Sequence, residues 1–207
     1  MSTILTGERR IMGISGALLV IFLTMHLAVN LTSLISRETY ESAWRFINEN
    51  AMARIVIPLL AFGFTVHVVY GVVLTVRDRK TQNMNRSNKK NIDSRWVNIL
   101  LPGIIVAGLL AFHLSHFWTK VQLRGENPYD IVKTLFYNDF YVAGYVIWFI
   151  ALYFHLSRGF LKMFQSANAT NRKLISRLQI ASKIFSASIA AGFIFISVYF
   201  YLGFGCS

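Results

Sequence analysis

Five stretches of the chain stay apolar for about twenty residues or more, long enough for each to cross the hydrocarbon core of a bilayer as a helix. They fall near 11–35, 54–76, 96–119, 140–163 and 181–203. In lipid the backbone has no water to bond with, so spans of this kind are helices and not open strands. The segments between them are too short for a soluble domain, and the 207 residues read as a single transmembrane domain. Composition agrees: 55% of residues are hydrophobic and 14% charged, where a soluble domain carries about a quarter charged. The first apolar run follows Arg9 and Arg10. It is too long for the core of a cleavable signal and has no clear small-residue cleavage site.

The charges fix an expected orientation. With the N-terminus in the cytoplasm, the inner segments hold fifteen basic residues against three acids, and the outer segments hold six of each. The whole net charge of +12 then lies on one face, as the positive-inside rule requires. That face would attract anionic lipid or an acidic partner. A nucleic-acid partner is not expected, because the basic residues cluster between spans and do not form one stripe or arm. A single cysteine, Cys206, excludes an intrachain disulfide, a structural zinc site and an iron–sulfur cluster.

All five histidines lie inside the spans: His26, His67, His113, His116 and His155. A titratable group at that depth is costly and usually functional, although one histidine alone can serve as a helix–helix hydrogen bond. Helices one to four each carry at least one, and helix five carries none. Because the chain alternates direction, depth alternates too. His26 and His113 fall in the outer half, His67 and His155 in the inner half, with the layers roughly 10 Å apart at the helical rise. Two imidazoles facing each other at one depth are what a six-coordinate haem needs. Two such layers make a wire across the bilayer. A proton relay would usually add Asp or Glu within the spans, and none is there. Zinc would want further ligands.

His116, three residues beyond His113, is turned about 60° away on a regular helix and cannot share its iron. It can face the outer interface, bond a haem propionate or line a quinone pocket. The converse, with His116 as ligand and His113 as neighbour, stays open at this stage. Gly63 and Gly71 flank His67 by one turn on either side, and Gly159 follows His155 by four residues. Small residues there would spare a flat guest a collision, or would serve close helix packing.

The ordered set TMHLAVN around His26, FTVHVVYGVVLTVRDRK around His67, AFHLSHFWTK around His113 and YFHLSRGF around His155 resembles the dihaem cytochrome b membrane anchor of succinate dehydrogenases and quinol:fumarate reductases. The likeness is to the single-polypeptide, five-helix kind and covers nearly the whole chain. It implies an all-α membrane protein whose first four helices form a haem-binding four-helix bundle, with the N-terminus cytoplasmic. It implies two haems b, His26 and His113 on the outer, His67 and His155 on the inner. It implies Trp96 near the inner haem propionates, where an interfacial tryptophan would also be at home. It implies a flavoprotein subunit and an iron–sulfur subunit docked on the inner face, a bacterial cytoplasmic (inner) membrane, a place in the respiratory chain and the tricarboxylic acid cycle, and room for a dimer of the whole complex.

The same resemblance implies a quinone, expected to be menaquinone, near the outer haem. A carboxylate there would exchange protons with it. Glu38, Glu41 and Glu49 in the first outer loop are the candidates, Glu49 having the best spacing from His26. By their side and charge alone, Lys133 or Arg124 could pair with a haem propionate. Some fumarate-reducing relatives carry a glutamate two residues before the fourth histidine; here that position is Tyr153, which tilts the expectation towards succinate oxidation. Two other readings compete. One is the cytochrome b anchor of a hydrogenase or formate dehydrogenase. The other is a small haem-free transporter, which would show a broken helix near Pro102 and Gly103.

Overall fold

The computed structural model describes residues 2–49, 53–84, 89–166 and 172–206. Among these residues every regular element is helical, and five helices are long and apolar enough to span a membrane, over Gly7–Leu34, Ile55–Arg77, Leu101–Arg124, Asp139–Leu161 and Lys173–Tyr201. They are built from α1 (Ser2–Leu31), α3 (Ala53–Met84), α4 (Lys89–His113) continued by α5 (Thr119–Arg124), α7 (Asp139–Ser166) and α8 (Arg172–Tyr201). The outward faces carry large apolar side chains such as Ile14 (71% exposed), Phe62 (68%) and Phe195 (59%). Apolar surface of that extent on several helices suits lipid and not water.

The four helices α1, α3, α4 and α7 form a bundle. α1 packs on α3 and α7, α4 packs on α7 and less closely on α3, and the diagonal pairs α1/α4 and α3/α7 face each other without close packing. α8 lies outside the bundle, mainly along α7. Buried serines make that contact close: Ser182 Oγ donates to the Ser157 carbonyl at 2.5 Å, and Ser186 and Ser197 donate within α8. Small residues whose hydroxyls turn back onto the backbone let two helices approach in an apolar medium.

Two short helices, α2 (Arg37–Asn48) and α6 (Pro128–Phe136), close one end, here termed the cap end. α2 starts at Ser36, whose hydroxyl accepts from the Thr39 N–H. α6 starts at Asn127, whose side-chain oxygen accepts from Tyr129 N at 2.9 Å, with Pro128 in the first turn. Both are N-terminal signals of the ordinary kind. α6 buries Tyr129, Val132, Leu135 and Phe136 against the bundle. The third span differs from the expected continuous helix. After His113 the chain makes a π-helical turn, Leu114–Trp118, before resuming as α5. Ser115 and Thr119 help to hold it, Ser115 Oγ donating to the Phe112 carbonyl and Thr119 Oγ1 to the Ser115 carbonyl. In contrast, α4 runs unbroken through Pro102 and Gly103, where the transporter reading expects a break.

Candidate functional site

Four histidines meet in two pairs inside the bundle. His26 on α1 and His113 on α4 have ring centroids 6.0 Å apart with planes at 80°. His67 on α3 and His155 on α7 have centroids 6.2 Å apart with planes at 78°. Each pair spans one of the diagonals, where the helices do not pack closely. The pair His26/His113 lies towards the cap end, and the pair His67/His155 towards the end that carries the N-terminus. Three helices measure the interval between them. Gly16 faces His67 and precedes His26 by ten residues; Gly103 faces His155 and precedes His113 by ten; Tyr145 bonds His113 and precedes His155 by ten. Ten residues rise about 15 Å, more than the roughly 10 Å expected from the span ends. An estimate from span ends inherits the error in those ends, whereas residues in contact fix the level directly.

Polar neighbours stand at the ring nitrogens of His113, His67 and His26. His113 Nδ1 lies 3.2 Å from the Tyr145 hydroxyl. His67 Nδ1 lies 3.4 Å from Ser15 Oγ, which itself donates to the Met12 carbonyl at 3.1 Å. His26 Nε2 is 3.5 Å from Asn30 Nδ2, an amide already donating to the His26 carbonyl at 2.8 Å. The first pair is enclosed by aromatics: Phe22 and Phe193 against His26, Phe117 and Trp148 against His113. Glycine makes the room at the second pair. A Cβ on Gly16 would stand 3.3 Å from His67 Cε1, and one on Gly103 would stand 3.4 Å from His155 Cε1.

The remaining expected residues fall as follows. Of the two neighbours on the third span, His113 is the one set against His26. His116 sits in the π-turn, its Nε2 3.4 Å from the Tyr141 hydroxyl, its Nδ1 3.4 Å from Ser115 Oγ and its ring over Phe112. Gly63 meets Leu18 of α1, where a Cβ would approach Cδ2 to 2.8 Å, and Gly71 meets Met12; Gly159 has no neighbouring atom within 4 Å of where its Cβ would be. The glycines that touch histidine rings are therefore Gly16 and Gly103. Trp96 lies on α4, but its side chain falls outside the described residues. Glu41 is engaged by Arg37 Nε at 2.8 Å and Asn127 Nδ2 at 2.7 Å. Glu38 and Glu49 are exposed on or just beyond α2. Arg124 pairs loosely with Glu126 at 3.9 Å, and Lys133 is half-buried on α6.

Two imidazoles sharing one six-coordinate metal have ring centres roughly 6 Å apart, given metal–nitrogen bonds of about 2 Å and the radius of the ring. Both pairs meet that spacing. Among the described residues no three His, Cys, Asp or Glu side chains converge as a metal site, so side chains of these four kinds supply two positions at each level. A guest carrying its own four equatorial nitrogens completes such a set. Trp148 Nε1, beside His113, is the one buried side-chain polar atom without a hydrogen-bond partner among the described residues. A buried N–H in that position is a donor awaiting an acceptor. The donor set and the ring spacing fit a haem at each level, with the glycine gaps at the His67/His155 pair and this lone donor at the His26/His113 pair.

The fold and these pairs define a multi-pass helical membrane protein with two facing histidine pairs at two depths. No family of known proteins, no curated protein and no solved structure matches the chain.

Proposed function

We propose that the chain is the dihaem cytochrome b anchor of a succinate:quinone oxidoreductase in a bacterial cytoplasmic membrane. The observation that carries this reading is the meeting of four histidines in two diagonal pairs, at 6.0 and 6.2 Å, on two levels of one bundle. His26 and His113 would hold one haem b and His67 and His155 the other. Bound there, the two groups supply one-electron carriers about 15 Å apart along the bundle, which is how electrons would reach a quinone from a partner on the opposite side.

The chain's own residues do the rest. Tyr145 on α7 and Ser15 on the adjacent α1 stand at ring nitrogens of His113 and His67. Such partners hold an imidazole in one tautomer and orientation and raise its strength as a ligand. The aromatic shell round His26 and His113 keeps water from that pair. The basic end would dock an iron–sulfur subunit, itself joined to a flavoprotein. The quinone, menaquinone by expectation, would bind at the cap end. Reduction there takes up two protons with two electrons, and Glu49 or Glu38 is free of the ion pairs that engage Glu41. The choice of succinate oxidation over fumarate reduction rests on Tyr153 in place of a carboxylate. One ligand on each of four successive helices favours this anchor over those of hydrogenases and formate dehydrogenases.

A pyridine haemochrome assay on the chain, purified from membranes that also contain the partner subunits, is expected to give two low-spin b haems per polypeptide. His67→Ala should remove one and leave the other spectroscopically intact. No haem in the wild-type chain would reject the proposal; loss of both or of neither in the variant would reject the pairing.

A further inference from the structure

We propose that Tyr145 is a positioning residue for His113, and that its phenol oxygen sets the electron-donor strength of that imidazole. The inference rests on His113 being an axial ligand as proposed above. A histidine that binds a metal through Nε2 carries its proton on Nδ1, and the partner of that N–H decides how much negative charge the ring can lend the metal. His113 Nδ1 faces the Tyr145 hydroxyl at 3.2 Å, across two helices and 32 residues of sequence. With the proton on Nδ1, the N–H donates and the phenol oxygen accepts.

The phenol is held firmly. Tyr145 is only 5% exposed, and its ring is wedged between Phe136 at 5.2 Å and Trp148 at 5.4 Å, both edge-on. It meets the His113 ring itself at 74°. A side chain fixed from three sides cannot follow the imidazole if the ring turns, so it selects one ring orientation. The corresponding position at the other level is made differently. There His67 Nδ1 lies against a serine hydroxyl and a backbone carbonyl of α1. The two levels therefore receive partners of different chemistry, and a change at Tyr145 should be felt at one level only. Tyr141, one turn away on α7, gives an internal comparison, because its hydroxyl contacts His116 and not His113.

The test is a spectroscopic redox titration of the purified chain with both haems in place. Tyr145→Phe removes the acceptor and keeps the ring. The less basic imidazole then stabilises the oxidised metal less, and the midpoint potential of one haem should rise. The expected size is a three- to tenfold change in its oxidised-to-reduced ratio at a fixed ambient potential, up to about 59 mV for a one-electron couple. The haem that moves should be the one lost in His113→Ala. The other should hold its value, and Tyr141→Phe should move neither. Where Tyr145→Phe fails to accumulate, 3,5-difluorotyrosine at position 145 keeps the shape and weakens the oxygen as an acceptor, so the same haem should move the same way by less. An unmoved potential, or an equal shift in both haems, overturns the role of Tyr145. A wild-type chain that binds no haem overturns the reading on which it rests.

Discussion

The residues that matter most at the paired histidines are those the chain can spare least volume for. Gly16 and Gly103 each lie under an imidazole belonging to a neighbouring helix. Their importance was hidden in the sequence because reasoning along one helix looks at i±4 and so finds Gly63, Gly71 and Gly159. Contacts between helices obey no such spacing. One trace was present: Gly16–His26 and Gly103–His113 share a separation of ten residues, which repeats a gap at one level and an imidazole at the other on both α1 and α4. At Gly103 an alanine Cβ would stand 3.4 Å from the His155 ring, a contact that a small shift accommodates. Valine adds two further methyl groups in the same space, and overpacking of this kind costs about 1–3 kcal/mol or displaces the neighbour. Gly103→Val should therefore turn His155 out of its pairing with His67 and halve the b-type absorbance per chain, while Gly103→Ala retains it. Full absorbance in the valine variant would show that the His155 ring does not need this gap.

At the scale of elements, the five spans were legible because twenty apolar residues leave few alternatives, and the alternating depths were enough to put His26 beside His113 and His67 beside His155. The π-turn and the two cap helices were not legible. A π-turn differs from an α-turn by one residue and is settled by what the turn packs on, here Tyr141 against His116. α2 and α6 are short, and their apolar faces acquire meaning only against each other and the bundle. What joins them is a charged clasp. Arg37 reaches Asp130 with both terminal nitrogens at 2.9 and 2.8 Å and Glu41 through Nε at 2.8 Å. Asn127 caps α6 with its oxygen while its amide nitrogen donates to Glu41 at 2.7 Å. The Asn127 hydrogen bond and then the Arg37 guanidinium hold the Glu41 carboxyl below the usual carboxylate range. A lowered folded value means that the clasp contributes in full above the unfolded carboxylate pKa of about 4.3 and is lost as pH falls through the lower folded value. The thermal midpoint in detergent should thus be flat near neutrality and fall on the acid side. Glu41→Gln should lower the neutral value and reduce that acid dependence. A wild-type profile in the variant would show that Glu41 does not couple the two helices.

For the molecule as a whole the decisive quantity is which face carries the charge. An odd number of spans puts the two termini on opposite sides, and α8 ends at the cap end, where Phe200 meets Tyr129 of α6 at 5.6 Å. If the basic end is cytoplasmic, as expected from the excess of fifteen basic residues over three acids, the chain beyond α8 emerges outside. Cys206 lies in that stretch and is the one cysteine of the chain, so the wild-type protein already contains its own topological marker. A membrane-impermeant maleimide added to the outer face of the intact membrane should label Cys206 to the level reached in detergent. Labelling only after lysis would put the basic end outside. It would also invert the electron path proposed above, since the pair His67/His155 would then lie nearest the exterior and a cytoplasmic iron–sulfur subunit would meet the cap end. On the proposed path, the orientation of one thiol thus decides whether electrons from a cytoplasmic donor would first meet the level backed by Ser15 and glycine or the level backed by Tyr145 and its aromatic shell.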